Sequence, residues 1–129
     1  MIKDLTREET VAAFKAADIF LFTSRVECSP LVLFESIAGK TPFLTTDVGN
    51  ASEIINCTKG GILLPTRIDK SGYSHALINE SAKVLIESYN NRIKLSLMGR
   101  TGYKNWLKKF TWEKITKDYE KVYLSLLKS

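Results

Sequence analysis

Glu27 and Glu35 are separated by seven residues in the stretch SRVECSPLVLFESIAGKTPFLTTDVGNASEII, Ser24 to Ile55, and a Ser29-Pro30 pair lies in the gap. A serine side chain accepts from the first free N–H groups of a helix, and proline at the first helical position forfeits no hydrogen bond. The pair therefore predicts a helix from Pro30 to about Ala38, capped by Ser29, with Leu31 and Val32 presenting unpaired N–H groups. Such a helix start, with the dipole behind it, attracts phosphate. Glu35 falls about five residues into this helix, roughly 8 Å along it. A diphosphate resting on the helix start would have one carboxylate on each side, and carboxylates accept from paired sugar hydroxyls. Two sugars joined by a diphosphate make a nucleotide sugar, with Glu35 at the ribose and Glu27 at the transferred sugar. Taken singly, either glutamate reads as a solvated charge, and as a pair they also fit the acid and base of a glycosidase.

The elements that must position this site alternate in type. LTREETVAAFKAA, with Thr6 as cap and Glu9 at the capping-box position, predicts an amphipathic helix carrying Val11, Ala12, Phe14 and Ala17 on one face. DIFLFTS, PFLTTD and GGILLPT are short apolar runs of the kind found in strands covered on both faces, and ASEII between the last two is a helical turn. A helix from about Tyr73 to Tyr89, one or two shorter helices in NRIKLSLMGRTGYKNWLKK, and a long helix from Trp112 to Leu127 complete the chain. Alternating β and α units with apolar strands predict a parallel, doubly wound, Rossmann-like sheet in an α/β domain spanning 1–129. Three strands are fewer than the five or six of a whole nucleotide-binding domain, so the expectation is a partial one.

Composition narrows the classes. The 129 residues are 44% hydrophobic, enough for one modest core, and no apolar run reaches the length of a membrane span. The charged N-terminus does not resemble a secretory signal, so the expected location is cytoplasmic. Cys28 and Cys57 have no CxxC partner or histidine cluster and are read as buried or incidental thiols, and the single histidine, His75, as a surface residue of the later helical region. The net charge of +5 is uneven: residues 1–82 carry 8 positive and 10 negative groups, residues 83–129 carry 11 and 4. Lysines interleaved with aromatics there suit a solvated helix face, nucleic acid or peripheral contact with the inner, anionic face of a membrane; no nucleic-acid-binding motif is present.

Aligned without a gap, the Ser24 to Ile55 stretch resembles the C-terminal donor-binding domain of family-4 glycosyltransferases, retaining enzymes of the GT-B fold. Their pattern runs E-G-F-P-L-V-L-L-E-A-M-A-C-G-T-P-V-V-A-T-D-V-G-G-I-P-E-I-I. Glu27 falls on its first glutamate, Pro30-Leu31-Val32-Leu33 on its core, Glu35 on its second glutamate, and Thr41-Pro42 and Asp47-Val48-Gly49 on the loop that follows. GGILLPT resembles the family's G-x-L-V-P strand, and Phe110-Thr111-Trp112 its F-S-W before the closing helix. Cys28 stands where the family has glycine, Lys40 where it has a helix-ending glycine with Gly39 one position early, and Asn50 in place of a second glycine, a change that suits a left-handed conformation.

The resemblance implies transfer of a sugar, with retention, from a nucleotide-diphosphate donor in polysaccharide or glycoconjugate synthesis, with no metal and no cofactor. It makes Glu27 catalytic and donor-binding, Glu35 the ribose ligand, and Cys28, Ser29, Pro30, Leu31 and Val32 the donor-binding loop and helix start. It also implies a missing N-terminal acceptor-binding domain, in the same or a separate chain. This chain alone is then expected to transfer no sugar and, with an open sheet edge and an apolar closing helix, to self-associate or be only marginally stable. The alternative is a non-catalytic fragment or split subunit that completes a partner polypeptide.

Overall fold

The computed structural model describes residues 4–127. Met1–Lys3 of the charged N-terminus and Lys128–Ser129 at the end of the basic stretch lie outside the described residues. The first helix, α1 (Arg7–Ala16), opens on the expected capping box: Thr6 Oγ1 accepts from the Glu9 amide at 3.2 Å, and Glu9 Oε2 accepts from the Thr6 amide at 2.8 Å. The Thr6 amide, and after it the Thr6 hydroxyl, hold the Glu9 carboxyl below the usual carboxylate range.

Three strands, β1 (Phe20–Phe22), β2 (Phe43–Thr45) and β3 (Gly61–Leu63), form a parallel sheet in the order β1-β2-β3, with Phe20 beside Phe43 and Phe43 beside Gly61. The intervening helices are α2 (Leu31–Ala38) and α3 (Ala51–Thr58). Central strand β2 is buried along its whole length, whereas Leu21 of β1 is 48% exposed, so β1 is not covered on both faces as its unbroken apolar run predicts. The core is built from Leu33 and Ile37 of α2, Phe43, and Ala51 and Ile54 of α3, with Phe20, Phe22 and Trp106 packed against it.

Thr41-Pro42 joins these layers. The buried Thr41 hydroxyl donates to the Phe14 carbonyl at the end of α1, the Ser36 hydroxyl donates to the Thr41 carbonyl at 2.8 Å, and the Pro42 carbonyl accepts from the Phe20 amide at 2.9 Å.

Beyond β3 the chain departs from expectation. Residues 66–76 form an antiparallel hairpin, β4 (Thr66–Ile68) and β5 (Ser74–Ala76), and helix α4 (Ile78–Asn90) begins only after it. His75 thus lies on a strand, not a helix. The turn explains this: the Asp69 carboxylate accepts from the amides of Ser71 at 2.8 Å and Tyr73 at 3.0 Å, and Gly72 takes a left-handed φ of 83°. One continuous helix, α5 (Arg92–Lys109), follows, and α6 (Trp112–Leu126) closes the chain. Both cysteines are free and exposed, so they are incidental rather than buried. No described helix is long and apolar enough to cross a membrane.

Lys40 carries the left-handed turn after α2 at φ 65°, while Gly39 stays right-handed at −75°. A side chain at Gly39 would press on Phe14 Cβ at 3.2 Å, so glycine is spent on packing and the conformational cost falls on Lys40. A left-handed non-glycine residue costs about 1–2 kcal/mol, offset by about 0.5 kcal/mol from the Lys40 ammonium over the Tyr103 ring. Lys40→Gly is expected to raise stability by about 0.5 kcal/mol or more in urea denaturation, and Lys40→Ala to lower it.

Candidate functional site

The loop from β1 to α2 leaves the carboxyl end of a parallel sheet, the position where ligands bind in open α/β folds. Neighbouring segments fix it along its length. The Thr46 amide donates to the Phe22 carbonyl at 3.2 Å and its hydroxyl to the Ser24 carbonyl at 2.5 Å. The Arg25 carbonyl accepts from the Ser74 amide at 2.9 Å, and the Cys28 carbonyl from the Asn50 amide at 3.2 Å. Gly49, after β2, sits at φ 53° with its α-carbon so close that an added Cβ would lie 2.3 Å from the Cys28 carbonyl oxygen. The Asp47-Val48-Gly49 loop therefore seats the Glu27-Cys28 loop, and only glycine allows the approach. Asn50 itself is not left-handed, at φ −99°, which corrects the reason expected for its tolerance; its Oδ1 is buried with no hydrogen-bond partner among the described residues.

Glu27 is half-buried, and its Oε1 accepts from the Ser24 hydroxyl at 2.9 Å. Cys28 and Ser29 are exposed. Ser29 does not cap the helix: Pro30 occupies the N-cap position, buried, at φ −72° and ψ 94°, and offers no side-chain bond. The helix accordingly starts at Leu31, one residue later than predicted, which puts Ser29 outside the reach of a cap. The Leu33 amide turns back to the Pro30 carbonyl at 3.1 Å, whereas the Leu31 and Val32 amides have no acceptor among the described residues. With no residue of either charge sign in the first turn, those two N–H groups are the electrostatic feature of this helix end.

Glu35 lies about 6 Å along the helix from Leu31. Its Oε1 accepts from Arg7 Nη1 at 2.7 Å, with side chains 32% and 70% exposed respectively. Nothing in the local spacing marks this pair, because Arg7 is 28 residues away on α1. So exposed a pair is worth about 0–1 kcal/mol and exchanges readily for another partner. Arg7 and Glu35 border a cavity of about 420 Å³ between α1, α2, α5 and α6, walled by Phe14, Phe34, Trp106 and Phe110; Glu27 does not line it.

The hairpin adds a second cluster. The Arg25 guanidinium lies 5.2 Å from the Tyr73 ring centroid, and its Nη2 lies 3.3 Å from His75 Nε2, which is also 2.8 Å from Asp69 Oδ2. The bond with His75, followed by the Tyr73 amide, holds the Asp69 carboxyl below the usual carboxylate range. Ser74 Oγ donates to the Asp47 carbonyl at 2.6 Å, so the hairpin braces both loops at this end of the sheet.

Residues 1–79 match the family described as "Glycosyl transferases group 1". A protein named "Probable sucrose-phosphate synthase" from Thermosipho melanesiensis is 32% identical over 108 residues, which is 84% of this chain and 22% of that one. The solved structure of sucrose-phosphate synthase from Thermosynechococcus elongatus shares the fold at a TM-score of 0.71 and 22% identity, over 98% of this chain and 29% of that one. The chain thus spans less than a third of the length of either.

Proposed function

We propose, from the premise that this chain belongs to the group 1 glycosyl transferases, that its β1–α2 loop and the start of α2 hold a nucleotide-diphosphate sugar whose glycosyl group is transferred with retention. The observation that carries this reading is the pair of unpaired amides, Leu31 and Val32, at the carboxyl edge of the sheet, with Glu27 before them and Glu35 after them on the same helix. The diphosphate rests on those N–H groups, which stabilise charge developing on the leaving phosphate. Glu27 accepts from hydroxyls of the transferred sugar, and Glu35 accepts from the ribose in exchange for Arg7. Cys28, Ser29 and Pro30 shape the wall between them. The reaction in this reading takes no metal and no cofactor.

The acceptor is held by an N-terminal domain in the same or a separate chain, and this chain by itself transfers no sugar. The open edge of β1 and the exposed Trp112, Tyr119, Val122 and Tyr123 of α6 favour a second reading, in which the chain completes a partner polypeptide or another copy of itself. Sedimentation across a concentration series distinguishes self-association from a stable monomer.

Titrating uridine or guanosine diphosphate into the chain while following amide NMR shifts tests the site. The largest shifts are expected at Leu31, Val32 and Glu35. Shifts clustered away from residues 27–35 would remove the assignment.

A further inference from the structure

Helix α5 carries Arg92, Lys94, Arg100, Lys104, Lys108 and Lys109 and no acidic residue. Its buried positions, Leu95, Gly99 and Gly102, fix which side faces the core. On the opposite side Ile93, Leu97, Arg100, Lys104, Leu107 and Lys108 fall within about 60° of one line at 3.6 residues per turn, a stripe roughly 22 Å long. Ile93 is 86% exposed, Leu97 63% and Leu107 46%, and the three cations between them are exposed as well. Arg92 is neutralised by Asp18 at 2.7 Å, and Glu87 of α4 borders the N-terminal end of the stripe beside Arg92 and Ile93. Arg100, Lys104 and Lys108 have no carboxylate at ion-pair distance among the described residues.

Aliphatic side chains set among uncompensated cations on one helix face are the chemistry of an anionic lipid interface: the apolar groups enter the acyl boundary while the cations meet headgroups. A single-stranded nucleic-acid surface would call for aromatic groups among the cations, but the aromatic residues of α5, Tyr103 and Trp106, stack on each other at 5.9 Å, and a duplex backbone of phosphates gives the exposed Ile93, Leu97 and Leu107 nothing apolar to enter. Pairing with a second copy through the same face would set like charges against one another. We infer that the outer face of α5 docks the protein on an anionic membrane surface. The inference is independent of the donor site.

Co-sedimentation of the chain with vesicles of phosphatidylcholine alone, or mixed with phosphatidylglycerol, tests it. Binding is expected with the anionic vesicles only, and high salt weakens it. Arg100→Gln with Lys104→Gln is expected to lower partitioning about 30-fold, and Ile93→Ser with Leu97→Ser to lower it also, with circular dichroism unchanged in both. Equal binding to neutral vesicles, binding that neither variant reduces, or binding to mixed-sequence RNA in place of vesicles would overturn the inference.

Discussion

Gly99→Ala is expected to destabilise the fold by about 3 kcal/mol, a large share of the roughly 5–15 kcal/mol that holds a domain together. Helix propensity alone predicts the reverse, since alanine is favoured over glycine by about 1 kcal/mol. Packing decides the sign. A Cβ at Gly99 would stand 2.1 Å from the Lys40 carbonyl oxygen and 3.1 Å from Pro42 Cδ. That carbonyl cannot retreat cheaply, because it belongs to the left-handed Lys40 and adjoins Thr41, whose side chain and backbone tie α1, α2 and β2 together. The same side of α5 meets the chain just before β3 at Gly102, where a Cβ would lie 2.7 Å from the Gly60 α-carbon, so α5 cannot tilt away about one end without losing the other. Urea denaturation of Gly99→Ala beside an exposed control, Arg100→Ala, measures the effect. A change within about 0.5 kcal/mol of the control would mean that α5 does not pack this closely.

That close packing was not legible in the sequence, where NRIKLSLMGRTGYKNWLKK suggests only one or two shorter helices. What was legible rests on local chemistry. Thr6 and Glu9 form a reciprocal cap because both partners lie within one turn. FLF, FLT and GIL pair as parallel strands because each is apolar and bounded by turn residues. The hairpin escaped notice for the opposite reason. Ile68 is 69% exposed and β4 has no buried face to impose alternation, so only Asp69 and Gly72 mark the turn, and the helix expected from about Tyr73 overlaps β5.

The site divides in the same way. Glu27, the helix start and Glu35 follow from spacing in one stretch of chain, although proline displaced serine from the cap and moved the first helical residue to Leu31. The partners that hold them lie far off in sequence: Arg7 on α1 for Glu35, Gly49 and Asn50 for the Cys28 carbonyl, and Ser74 for the Arg25 carbonyl. Tertiary contacts of that kind leave no periodic trace.

Glu27→Gln and Glu35→Ala should fail in different ways. Glu27 sits in the loop before the helix, so in the proposed complex it faces the transferred sugar and not the nucleoside. Glutamine keeps an oxygen for the Ser24 hydroxyl, so the loop is retained while the charge that strengthens hydrogen bonds to sugar hydroxyls is lost. In a preparation that transfers sugar, turnover is expected to fall about 100-fold, and affinity for free nucleoside diphosphate to stay nearly unchanged, because that ligand carries no sugar for Glu27 to hold. Glu35→Ala removes the acceptor expected for the ribose hydroxyls. Two charge-assisted hydrogen bonds lost there, at about 1.5 kcal/mol each, correspond to about 150-fold weaker binding of donor and free nucleoside diphosphate alike. The fold persists in this variant, since the exposed pair with Arg7 contributes at most about 1 kcal/mol. Steady-state kinetics beside calorimetric titration of the free diphosphate separates the two effects. Equal loss of diphosphate affinity in both variants would place both carboxylates at the nucleoside and end the division of roles. Loss in neither variant would free Glu35 from donor binding and leave it as the structural partner of Arg7.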